Sequence, residues 1–169
     1  MKKKLRLLLF KDCNRKCEGC CNKEWDLDAI PTCDSYEGYD EIFLTGGEPM
    51  LNPKLVLLTV RNIRKVNKDA KIYIYTAWLE NITVSSYLLS QIDGITVTLH
   101  NETQEKELDD WMNLHFFDLY LLAEGKSLRL NVFKGCSVPT NLHNDWKIKK
   151  DMVWIKGEAL PDGEVFMKL

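Results

Sequence analysis

The sequence predicts an α/β protein built on parallel strands, and two observations carry that prediction. Short runs rich in β-branched and aromatic residues, among them Glu41–Thr45, Lys71–Thr76 and Ser127–Phe133, alternate with stretches in which apolar residues recur at helical spacing. Strands separated in this way by helices pair in parallel through right-handed crossovers. The first two strand-like runs also end abruptly, one in a cysteine-rich segment and one in Gly46-Gly47-Glu48-Pro49, and parallel-sheet proteins build their sites just past strand ends. With about six strands, the pattern fits either an open doubly wound sheet or an incomplete barrel of β/α units, because eight such units need ~250 residues.

At 169 residues, 45% hydrophobic and 28% charged, the chain is long enough for one sizeable core and short for two. It reads as a single domain over residues 1–169, with a core at about 4–156 and a short C-terminal extension at about 157–169.

Lys4–Phe10 is apolar enough for a buried first strand and delivers the chain directly into the cysteines. Asn22–Tyr39 reads as loop, with one short helix around Trp25–Ala29. Glu41–Thr45 is the second strand. Asn52 then has the character of an N-cap and Pro53 that of a first helical residue, with Leu55, Leu58, Ile63 and Val66 as the apolar face of a helix running to about Asn67. Lys71–Thr76 is a third strand, Val84–Ile92 a helix, and Gly94–His100 a cleanly alternating fourth strand. Thr103–Phe117 carries Leu108, Trp111, Met112 and His115 at helical spacing, and Leu108, Trp111 and His115 read as its buried face. Ser127–Phe133 is a fifth strand. Lys134–Lys150 shows no firm period, Met152–Lys156 suits a sixth strand, and Ala159–Val165 has the residues of a turn between two short extended pieces.

Composition excludes several partners. A formal net charge of −2 and a pI near 5.9 offer no field for nucleic acid, and the basic stretch Met1–Arg6 is too short for a binding arm. The apolar run Leu7–Phe10 is shorter than a signal-peptide core and far shorter than a membrane span, and Lys11 and Asp12 follow at once. The expectation is a cytoplasmic protein with no membrane or nucleic-acid partner. Of the six cysteines, Cys13, Cys17, Cys20 and Cys21 crowd into one short segment, a pattern of metal binding or redox chemistry and not of a disulfide scaffold.

Thiolates are the usual protein ligands of iron–sulfur clusters, and a cubane takes one ligand per iron, about four in all. Cys13-x3-Cys17-x2-Cys20 therefore leaves one iron open, and an open position on a metal is where substrate or cofactor binds. Cys21 is adjacent to Cys20, and neighbouring residues do not aim their side chains at one centre. Cys33 or Cys136 closing the site in space would instead make it an electron carrier or a structural zinc site.

The cysteine pattern after the first strand, together with Thr45-Gly46-Gly47-Glu48-Pro49 after the second, resembles the radical S-adenosylmethionine (SAM) enzymes. The resemblance covers about Leu5 to Lys156. It implies a [4Fe–4S] cluster held by Cys13, Cys17 and Cys20, with SAM chelating the open iron, and an incomplete (β/α)6 TIM-like barrel. It also implies a low-potential electron donor of the flavodoxin or ferredoxin type. In that family the segment Gly46, Gly47, Glu48, Pro49 lies along the methionine end of SAM, where glycines admit a close backbone and backbone groups or Glu48 meet the ammonium. Thr76, Thr98 and Asn131, near the ends of the third, fourth and fifth strands, are further candidates for SAM contacts, and His100 is a candidate acid–base or substrate-binding group.

Within the family, Gly19-Cys20-Cys21-Asn22-Lys23 followed by Trp25 looks like the cluster loop of the small activases that install a glycyl radical on anaerobic ribonucleotide reductase. On that likeness the partner is a glycyl-radical enzyme. Phe10-Lys11-Asp12 ahead of Cys13 and Glu48 in place of Asp depart from those activases, and Gly19 departs from the many members with an aromatic residue before the third cysteine. The competing enzymatic reading is a small-molecule enzyme like the 7-carboxy-7-deazaguanine synthases. A non-enzymatic iron–sulfur carrier or zinc-stabilised binding module is the third.

Overall fold

A computed structural model describes every residue except 1, 79–81, 115–123, 140–141, 143–144 and 155–159, and the side chains of 21, 82–86 and 114. The described residues form seven strands, β1 (Lys4–Leu8), β2 (Glu41–Thr45), β3 (Lys71–Thr76), β4 (Gly94–Leu99), β5 (Ser127–Phe133), β6 (Trp146–Met152) and β7 (Glu164–Lys168). Three α-helices accompany them, α1 (Pro53–Val66), α2 (Ile82–Gln91) and α3 (Glu102–Leu114). The chain divides into two compact units, Met1–Ile74 with Trp154–Leu169, and Tyr75–Val153.

In the first unit the strands run in the order β3-β2-β1-β7, each pair parallel. Register places Leu5 beside Ile42 and Leu7 beside Leu44, and Ile42 and Leu44 beside Ile72 and Ile74. All six are fully buried, forming two apolar rows on one sheet face. The opposite face carries Arg6, Phe43 and Tyr73, with the Phe43 and Tyr73 rings stacked 5.3 Å apart.

Helix α1 begins where its sequence says it should. The Asn52 Oδ1 accepts the Leu55 amide at 3.2 Å and Pro53 stands at the first helical position, where its missing N–H costs nothing. At the other end Asn67 closes the helix through its amide to the Ile63 carbonyl, and its side-chain nitrogen donates to the Tyr36 and Tyr39 carbonyls at 2.9 Å. The buried stripe is Val56, Thr59, Val60 and Ile63, a clean i, i+3, i+4, i+7 set. Of the expected face only Ile63 belongs to it: Leu58 is 53% and Val66 51% exposed. The helix is apolar over most of its first turns, so periodicity offered two faces, and the buried polar Thr59 concealed the true one.

In the second unit β4, β5 and β6 are parallel. β4 is buried on both faces apart from a half-buried Thr98, so it is a central strand and not the alternating one expected. Leu108 and Trp111 of α3 are buried, as expected; His115 and the end of the predicted helix to Phe117 lie outside the described residues.

Two further expectations are corrected. The segment around Trp25–Ala29 is not a helix: the Asp26 carboxylate accepts the Asp28 and Ala29 amides at 3.0 and 3.3 Å and closes a tight turn, after a 3-10 turn at Cys21–Lys23. The sixth strand is Trp146–Met152 in place of Met152–Lys156, of which 155 and 156 are outside the described residues. Lys147–Asp151 are all exposed, and this charge, typical of a guarded edge strand, hid the strand. At the C-terminus the expected turn is present at residues 162–163, and the extended piece after it is β7, which pairs residue for residue with β1 from Lys4 and Glu164 to Leu8 and Lys168. Among the described residues no helix is long and apolar enough to cross a membrane.

Candidate metal centre

The two loops that stood out in the sequence lie against each other. β1 and β2 are parallel neighbours, so their C-terminal ends, and the loops leaving them, emerge side by side. The Leu9 amide extends the ladder to the Thr45 carbonyl at 2.9 Å. Beyond it Gly47 N–H donates to the Phe10 carbonyl at 2.8 Å and Glu48 N–H to the Asp12 carbonyl at 2.9 Å. A Cβ on Gly46 would stand 2.9 Å from the Phe10 oxygen, and one on Gly47 only 1.8 Å from that of Asp12. Backbone lies on backbone here because both residues are glycine.

The cysteine loop is tied down further along. The Asn22 side-chain amide donates to the Gly46 carbonyl at 2.8 Å, and Lys23 donates from Nζ to the Cys17 carbonyl and from its backbone to that of Cys20. Trp25 packs on Phe166 of β7 with ring centroids 4.8 Å apart. The Trp154 indole packs against one side of Gly19, whose φ is +64° and which stays exposed on the other. Sequence reasoning missed Trp154 entirely, for nothing local to it points across to the cysteine loop.

Cys13 is exposed and Cys17 and Cys20 are half-buried. Burial pushes the Cys17 thiol up to about 11, with Cys20 and Cys13 adding to the shift. Burial also raises Cys13; the Arg15 amide on its sulfur opposes this, and Glu48 and Cys20 reinforce it. Burial and mutual repulsion thus disfavour the Cys13 and Cys17 thiolates, and Glu48 adds to this at Cys13. A bound cationic iron centre reverses that preference. Among the described residues no group of three His, Cys, Asp or Glu side chains could hold a metal ion. A cubane makes a different demand, since each thiolate binds its own iron, and a set of three soft sulfur donors on a loop fits it.

A family model described as a 4Fe-4S single cluster domain matches residues 4–116. The chain belongs to that family. The matched stretch of this 4Fe-4S single cluster domain opens on β1 and takes in the cysteine loop, Gly46–Pro49 and all of α3, and the family's cofactor is a [4Fe–4S] cluster. No curated protein matches the chain.

Within the single cluster domain, Glu48 is 2% exposed, and its Oε1 accepts the Met50 amide at 3.0 Å, capping the 3-10 turn Pro49–Leu51. Pro49 is buried beside it. The Cys33 thiol donates to the Ser35 carbonyl at 3.3 Å; burial raises its pKa, and Asp34 adds to the shift.

The other predicted residues belong to the second unit, as does Cys136. Thr76 is buried, its hydroxyl donating to the Trp78 carbonyl at 2.9 Å and accepting the Trp78 amide at 3.0 Å, so it closes the turn after β3. Thr98 and Asn131 are direct partners across β4 and β5, both half-buried. His100 follows β4; its backbone amide donates to the Gln104 Oε1 at 2.6 Å, its Nδ1 lies 3.0 Å from the same oxygen, and its ring packs on Phe133. The structure therefore joins Cys13, Cys17, Cys20 and Gly46–Pro49 in one unit, and pairs Thr98 with Asn131 in the other.

Proposed function

We propose that this 4Fe-4S single cluster domain is a radical SAM enzyme, with Cys13, Cys17 and Cys20 holding the cluster and the open iron facing SAM. The observation that carries the reading is the docking of Gly46–Glu48 onto Phe10–Asp12. A carrier cluster needs only its cysteines, whereas here a second loop, made of glycines that permit it, lies backbone on backbone against the root of the first and carries a buried carboxylate that acts on Cys13. A cluster held by Cys13, Cys17 and Cys20 would supply the electron for reductive cleavage of SAM into methionine and a 5′-deoxyadenosyl radical, and that radical would take a hydrogen atom from the substrate.

The chain's own residues have separate tasks in this reading. Asn22 and Lys23 fix the shape of the cysteine loop, Gly46 and Gly47 allow close approach, and Glu48 and its neighbouring backbone receive the SAM ammonium. Thr76, Thr98 and Asn131 are assigned to further SAM contacts and His100 to the substrate, within the incomplete (β/α)6 barrel that the resemblance implies. The hydrogen-bonding of Asn22 and Lys23 and the packing of Trp25, all part of the activase-like signature, favour a glycyl-radical enzyme as substrate over a small molecule. A flavodoxin- or ferredoxin-type protein supplies the electron.

Anaerobic reconstitution tests the reading. The chain should take up about four irons and four sulfides, lose them on Cys13→Ala, Cys17→Ala or Cys20→Ala, and release 5′-deoxyadenosine when reduced with SAM. A full cluster without 5′-deoxyadenosine identifies an electron carrier instead. Radical transfer to a co-purified glycyl-radical enzyme separates the activase from a small-molecule enzyme.

A further inference from the structure

We propose that Trp154 is a positioning residue of the metal centre, which holds the Cys17–Cys20 turn in place and screens one side of it from water by filling the space a side chain at position 19 would take. The inference rests on the reading that Cys17 and Cys20 ligate the cluster.

Gly19 sits between those two cysteines with φ +64°, a backbone conformation that glycine adopts freely and other residues rarely do. A glycine is also the point at which a ligand loop is most free to move. Here that freedom is removed from outside: a Cβ at position 19 would fall 2.7 Å from Cγ and 2.8 Å from Cβ and Cδ2 of Trp154. The indole therefore lies flush on the Gly19 α-carbon. Trp154 comes from beyond β6, more than a hundred residues later in the chain, yet belongs to the same compact unit as the cysteine loop. Gly19 stays exposed on its other side and Trp154 is itself 36% exposed, so the indole braces the loop from one side and is not a core residue whose removal would empty the fold.

Solvent access and local dielectric around a cluster tune its reduction potential and its survival. Removing the indole opens that side of the turn to more water, and water stabilises the more highly charged reduced cluster, so the midpoint potential should rise. The glycine and the tryptophan are also sterically coupled. Any side chain at position 19 collides with the indole, so loss of the indole should rescue part of the damage done by a residue larger than glycine.

The test compares reconstituted full-length wild type, Trp154→Phe, Trp154→Ala, Gly19→Ala and the double variant Gly19→Ala/Trp154→Ala, with folding checked by circular dichroism. Readouts are iron per chain, midpoint potential by anaerobic titration, and the rate at which the visible absorption bleaches in air. Trp154→Ala should take up a cluster that bleaches several-fold faster than wild type and titrates at a higher potential, with Trp154→Phe close to wild type. Gly19→Ala should take up less iron, and the double variant should recover part of that loss. The inference is overturned if Trp154→Ala matches wild type in both bleaching and potential, or if the double variant is no better than Gly19→Ala. Cluster uptake that survives Cys17→Ala and Cys20→Ala overturns the ligand reading itself, and this inference with it.

Discussion

Gly46 and Gly47 are glycines for a steric reason and not a conformational one, since neither has a positive φ. What each needs is the absence of a Cβ beside a carbonyl oxygen of the preceding loop, and the need is sharpest at Gly47, 1.8 Å from the Asp12 oxygen. Gly47→Ala has nowhere to put its methyl without separating the two loops, so we expect it to cost about 1–3 kcal/mol in urea unfolding, the range of an overpacked core, and to abolish SAM cleavage. Glu48 allows a cleaner separation of structure from chemistry. Glu48→Gln keeps an oxygen to accept the Met50 amide and so preserves the cap, while the charge is lost. Its urea midpoint should stay near wild type, and SAM binding by calorimetry on the reconstituted protein should weaken roughly tenfold, as for a lost hydrogen bond to a charged group. Unchanged SAM affinity would show that the carboxylate serves only the turn.

At the scale of elements, α1 tests whether the burial pattern governs stability. Ile63 is fully buried and Leu58 is 53% exposed. Ile63→Ala should cost about 2–5 kcal/mol, and Leu58→Ala should fall within about 0.5 kcal/mol of wild type, both measured by urea unfolding. Equal effects would mean that the outer face of the helix is also covered. The contrast shows which features of an element its own residues announce. Asn52-Pro53 at the start of α1 and the β-branched run of β3 are local signals, and they matched the structure to the residue. The buried face of α1 is decided by what the helix packs against, which its own sequence does not contain. β6 was illegible for a related reason: a strand that buries only Trp146 has its identity conferred by hydrogen bonds to β5, and its lysines read as loop. In the candidate site the same division holds. Cys13, Cys17, Cys20 and Gly46–Pro49 stood out because unusual residues were clustered, whereas Trp154 acts on Gly19 from a distant part of the sequence and left no mark beside it.

At the scale of the molecule, the cysteine loop depends on residues far outside the family match at 4–116. β7 lies alongside β1, the strand that launches the loop, and is tied to it at both ends by Lys4 N–H to the Gly163 carbonyl and Leu169 N–H to the Leu8 carbonyl. Glu164 pairs with Arg6 across the two strands. Phe166 supports Trp25, and Lys168 reaches the loop after the cysteines through its Nζ on the Asp28 carbonyl at 2.8 Å. Its backbone adds two bonds, to Pro31 and Cys33, while Lys11 of the loop itself pairs with Asp28. None of these residues is among the three proposed ligands, yet together they hold both ends of the segment that carries Cys13, Cys17 and Cys20. Deleting residues 161–169 should therefore lower the melting temperature by several degrees, since each ~1 kcal/mol lost shifts a domain of this size by about 2–4 °C, and should sharply reduce iron uptake while every motif cysteine remains. The control is Val165→Thr, at a 40%-exposed position on the same strand, which should leave both quantities near wild type. A truncated chain that melted and loaded iron like the full one would show that β1 and the cysteine loop are held by β2 alone. The centre would then be a property of the two loops, where the pairing of β7 with β1 makes it a property of the whole unit.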